Sequence, residues 1–137
     1  MYLIGFPLLV VPFAIYNMIA FLTPGLNWTD AIASFPLVSG QTWTMTPQDL
    51  LLVLAIVLLP LEILKATRIG MRSIVDHILS LVLFIAMLLE FLLVRQAGTS
   101  TFFILMVISI VDVICGLMVT LRTSQRDFSI EKFESAA

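Results

Sequence analysis

Charge, cysteine and histidine are the scarce ingredients of this chain. Of its 137 residues only 12% are charged, seven basic and nine acidic, with one cysteine and one histidine. A soluble domain carries about 25% charged residues, so this sequence has about half the charge that keeps a folded surface in water. A lone Cys115 excludes an intrachain disulfide framework and a cysteine-rich zinc module. The net charge of −2 excludes a basic nucleic-acid binder. With His77 as the sole histidine, one chain has neither a bis-histidine haem site nor the paired Glu-x-x-His motifs of carboxylate di-metal bundles. The sequence also lacks a glycine-rich phosphate loop, a G-x-S-x-G elbow and an H-E-x-x-H helix. No metal, no cofactor and no enzymatic chemistry are therefore expected.

What is abundant is apolar side chain, 61% of the residues. Such a chain has lipid as its solvent, and the runs have the length of about 20 residues that a helix needs to cross a hydrocarbon core. The expected fold is an all-α membrane protein, an antiparallel up-down bundle of four transmembrane helices. Its spans are read at about 2–22, 47–67, 74–94 and 101–121, with an outer loop over 23–46 and a tail over 122–137. The first run lacks a basic n-region and is too long for a signal-peptide h-region, so it reads as a span. Pro7 and Pro12 predict that its helix bends or starts late. Thr46, Pro47 and Asp49 form a T-x-x-D capping signature with proline at the first helical position, and Pro60 is expected to kink that helix near its end. Gly70 suits a helix stop, and Ser73 with Asp76 makes a second S-x-x-D box. The short 95–100 connection makes the last two spans antiparallel neighbours.

Lys65, Arg68 and Arg72 lie between spans two and three, and Arg122, Arg126 and Lys132 follow span four, leaving Arg95 alone on the other side. The positive-inside rule makes the richer side cytoplasmic, with both termini there. Trp28 and Trp43 fall in the outer loop, which has no basic residue, and read as anchors at the membrane interface. The tail mixes charges with Ile130 and Phe133 and reads as a solvated end.

An ionisable group inside a span is costly and is by default a candidate functional residue. Glu62 lies three residues before Lys65 near the inner end of span two, where a snorkelling or paired acid is expected. Asp76 stands at the capping position and His77 one turn inside the membrane, where a hydrogen-bonded interfacial imidazole is expected. Glu90 lies about one turn below the outer end of span three, and Asp112 falls near the middle of span four, neither with a basic neighbour at its depth. Ser73, Asp76, Ser80, Leu83, Met87 and Glu90 share one helical stripe, and Ser109, Asp112, Gly116 and Thr120 share another. Small and polar stripes face the bundle interior, so the two are expected to meet.

The strings EILKATRIGMRSIVDH and FFILMVISIVDV resemble small four-span inner-membrane proteins of alphaproteobacteria. The resemblance implies the topology and a bacterial inner-membrane location, and it transfers no catalytic or binding residue.

Two functional readings follow. In the first the protein is a non-enzymatic small subunit or accessory factor, with the lipid bilayer and either further copies of itself or other membrane subunits as partners. Asp112 then serves as interhelical glue. In the second, Glu90, Asp112, Asp76, His77 and Glu62 form a proton relay in an oligomeric carrier or channel.

Overall fold

The computed structural model describes residues 6–67 and 71–136. Tyr2, Arg68 and Gly70, which entered the reading of span one and of the basic inner loop, lie outside the described residues.

Helix α1 runs over Val10–Leu22, α2 over Pro47–Lys65, α3 over Met71–Leu93 and α4 over Ser100–Ala136, with a single 3-10 turn at Arg95–Ala97. Three of these are long and apolar enough to cross a membrane: Pro47–Lys65, Met71–Leu93 and the Ser100–Arg122 part of α4. The chain is thus a mostly helical membrane protein. Helix α1 is shorter than these three. Pro7 and Leu8 accept from the amides of Val10 and Val11 in a turn that precedes it. A late start is what two early prolines impose, since each lacks a donor and fixes its own φ.

The polarity of the molecule is the inverse of a soluble protein's. Val53, Val57, Leu61, Ile78, Val82, Leu89, Val107, Ile114 and Leu117 are exposed, while Glu62, Asp76, Ser80, Ser109 and Asp112 are buried. In lipid an exposed leucine is already solvated, so the interior gains most by gathering the groups that lipid cannot hydrogen-bond. Helix α4 is the axis of the packing, with α2 and α3 laid along it and α1 resting on α2 and the 3-10 turn.

Helix α2 begins at the box that its residues predict: Asp49 N–H donates to Thr46 Oγ1 at 3.3 Å, and Thr46 N–H donates to Asp49 Oδ2 at 2.9 Å. Its buried side is Leu51, Ala55 and Glu62, a stripe of helical period. The helix continues through Pro60 to Lys65. Helix α3 departs from expectation at its start. Ser73 and Asp76 lie inside the helix, which is under way by Met71, so they do not cap it. Both side chains are buried against the bundle.

Helix α4 does not stop at Leu121 but continues to Ala136, about 55 Å in all at 1.5 Å per residue. The physical reason is local. Between Arg122 and Ala136 there is neither glycine nor proline, so composition ends the apolar stretch without ending the helix. Ile130 and Phe133 are exposed on this extension.

The outer loop contains a hairpin, with β1 at Ala33–Pro36 antiparallel to β2 at Thr42–Met45 and Phe35 opposite Trp43. Gly40, at φ 85°, closes it. Its amide donates to Leu37 O at 3.0 Å and Leu37 N–H donates to Gln41 O at 2.8 Å, the three-residue loop that needs a left-handed residue at its end. Ala33, Phe35, Trp43 and Met45 fall on one face, and Ser34, Pro36, Thr42 and Thr44 on the other.

Candidate functional site

The buried polar side chains concentrate in the half of the bundle where α2 ends and α3 begins. Glu62 on α2, Asp76, His77, Ser73 and Ser80 on α3, and Asp112 and Gly116 on α4 line one cavity of about 20 Å³. Helical period builds it: Ser73, Asp76 and Ser80 recur at three and four residues, as do Asp112 and Gly116. The two predicted stripes meet, with Ser73 Oγ and Thr120 Oγ1 3.5 Å apart and Gly116 facing His77. A methyl on Gly116 would stand 3.6 Å from His77 Nδ1, ordinary contact. Close backbone approach is therefore not what places glycine there. Thr120 returns its hydroxyl to Gly116 O at 2.9 Å. Ser109 is buried on the same side of α4.

Of the two expectations for Glu62, a snorkelling or a paired acid, the structure shows the paired one. It is 4% exposed, and three donors converge on it in four hydrogen bonds. Leu8 N–H donates to Oε2 at 2.8 Å, Ser80 Oγ to Oε1 at 3.5 Å, and Lys65 Nζ to both oxygens at 3.4 Å. Lys65 also donates to Phe6 O at 2.6 Å. The pairing with Lys65 that the three-residue spacing predicts is present, but its purpose is wider: the pair fastens the turn before α1 to the end of α2. Standing in the turn before α1, Leu8 N–H is one of the first-turn amides that lack an intrahelical acceptor, and the carboxylate takes it.

Asp76 is 6% exposed, and neither of its carboxyl oxygens has a hydrogen-bond partner among the described residues. The capping role read from its spacing is therefore not what it performs. Asp112, 4% exposed, lines the same cavity from α4. His77 is half-buried at the cavity wall.

Glu90 does not join this group. It is half-buried near the other end of α3, where Asn17 Nδ2 donates to its Oε2 at 3.4 Å. Between the two lies an apolar layer that includes Leu83, Met87, Leu105 and Met106. At the Glu90 end stands Tyr16, which neither composition nor spacing singles out. The ring is fully buried, stacks on Trp28 at 4.7 Å and 5°, and meets Phe102 edge-on at 4.9 Å. Its hydroxyl donates to Gln96 O at 2.8 Å and lies 2.7 Å from Thr99 Oγ1. Beside it Thr101 donates to Gln48 Oε1 at 3.0 Å. Trp28 is thus 8% exposed inside the protein, whereas Trp43 is 45% exposed on the hairpin beside Phe35. Trp28 departs from the interface-anchor reading, because its buried ring, stacked on Tyr16, leaves little surface for headgroups.

The described residues contain no group of three or more histidine, cysteine, aspartate or glutamate side chains set to hold a metal ion. Comparison with protein-family models, with curated proteins and with solved structures finds no match to the chain.

Proposed function

We propose that the protein is a non-enzymatic subunit or assembly factor of a bacterial inner-membrane complex, either a homo-oligomer or an assembly with larger membrane partners. In this reading the chain crosses four times, with both termini in the cytoplasm. The observation that supports it is the segregation of polarity. Its buried carboxylates gather at one cavity, half-buried Glu90 stands apart near the other end, and an apolar layer of Leu83, Met87 and Leu105 lies between them. A lone chain so built has a sealed centre and apolar flanks suited to lipid and to other helices. Extraction in mild detergent should recover the protein with companions or as a defined oligomer. A monodisperse monomer without companions would defeat the proposal.

The threading has its own test, resting on the six-to-one asymmetry of basic residues. Single cysteines at Ser39 and Ser135, in a background lacking Cys115, should be labelled from opposite sides of the membrane. Labelling of both from one side would remove the four-crossing topology.

A second reading, the oligomeric proton carrier or channel, draws on the three carboxylates around one cavity. Proton flux through reconstituted wild type, lost in a folded Asp112→Asn variant, would select it, since an amide does not exchange that proton.

A further inference from the structure

The cavity between α2, α3 and α4 leaves one demand unmet. A buried carboxyl group without a hydrogen-bond or charge partner is among the costliest arrangements in a folded protein. Asp76 is more than nine-tenths buried, lines the cavity, and has no partner on either oxygen among the described residues. Three neighbours that could have served it are engaged elsewhere. Lys65 is held by Glu62 and Phe6 O, Ser73 faces Thr120, and Ser80 donates to Glu62. The charged and titratable groups around the cavity are Glu62 and its partner Lys65 from α2, Asp76 and His77 from α3, and Asp112 from α4. Three acids thus face one fixed cation, and that cation is committed to the first of them.

The volume and the donor set define what would satisfy Asp76. About 20 Å³ admits a single particle of water size. Carboxylate and hydroxyl oxygens dominate the lining, and hard cations prefer such ligands, whereas transition metals favour nitrogen and sulfur. A divalent ion clasped by three side-chain ligands is not what the geometry offers. We propose that this cavity binds one small monovalent cation, a sodium ion, with Asp76 as its principal ligand and Asp112, Ser73 and Ser80 as the surrounding oxygens.

The test uses the full-length protein in mild detergent at about pH 8 with choline as the background cation. Radioactive sodium should bind saturably at one ion per chain, and sodium or lithium should raise Tm more than the larger potassium does. Asp76→Asn should weaken sodium binding about tenfold or more, the loss expected when a charged ligand becomes a neutral one. A rise in Tm on acidification that disappears in Asp76→Asn, with sodium without effect, would show that Asp76 is satisfied by its own proton and would overturn the proposal. The proposal is likewise overturned if wild type does not bind sodium, or if Asp76→Asn keeps the wild-type response to it. Should that variant fail to fold, the wild-type titrations still decide, and Ser73→Ala, which alters the wall without removing charge, should lower the affinity in their place.

Discussion

Replacing Glu62 with alanine is expected to cost the bundle about 3–5 kcal/mol, the loss typical of a buried ion pair deprived of one partner. The magnitude follows from what would be stranded. Lys65 would keep its bond to Phe6 O and lose the one carboxylate paired with it among the described residues, and Leu8 N–H would become an orphan donor. Ser80 would lose its acceptor as well. Glu62→Gln keeps an oxygen for Leu8 and Ser80 and gives up only the charge, so it should fall between alanine and wild type. Unfolding measured by denaturant titration in detergent ranks the three proteins. If the alanine variant lies within about 1 kcal/mol of wild type, Glu62 is a surface-type acid of the kind whose pairs contribute little, and the fastening role assigned to it is wrong.

The fate of Glu62 illustrates which parts of this molecule were legible in its sequence. Periodicity identified the buried side of α3 residue by residue from Ser73 to Met87, because in a lipid-solvated helix the polar and small positions mark the interior as plainly as leucines do in water. The Thr46 box was equally legible, since capping is a matter of four consecutive residues. Asp76 shows the limit of that local rule: the spacing from Ser73 matches a cap, yet a helix that begins earlier converts the same two residues into wall positions of a cavity. The hairpin carried its own signal in the alternation of Ser34, Phe35 and Pro36 and of Thr42, Trp43 and Thr44 around Gly40. That signal is short, and the apolar runs on either side outweigh it. Tyr16 left none. A tyrosine in an apolar run looks like any interfacial aromatic, and its partners Trp28, Gln96 and Phe102 come from three other parts of the chain. Convergence of that kind belongs to tertiary packing alone.

The two tryptophans should therefore behave oppositely. Trp28→Ala removes a ring stacked on Tyr16 and opens the space between α1 and the start of α2, where the Trp28 carbonyl also receives Gln48 N–H at 3.2 Å. The expected destabilisation is about 3–5 kcal/mol, as for other large aromatic truncations in well-packed interiors. Trp43→Ala removes a half-exposed ring whose recorded ring contact is Phe35 across the hairpin. A single cross-strand pair contributes roughly 0.2–1 kcal/mol, so the helices should unfold almost as in wild type. Fluorescence separates the rings directly. With Trp43 replaced by phenylalanine, the remaining Trp28 emission should resist both water-soluble and lipid-borne quenchers, because neither phase reaches a ring that is 8% exposed. With Trp28 replaced by phenylalanine, Trp43 should be quenched readily, and shallow lipid quenchers should act on it more strongly than deep ones if the apolar face of the hairpin rests on the headgroup layer. Equal destabilisation by the two alanine variants, or ready quenching of Trp28, would show that the aromatic layer around Tyr16 does not close that end of the bundle.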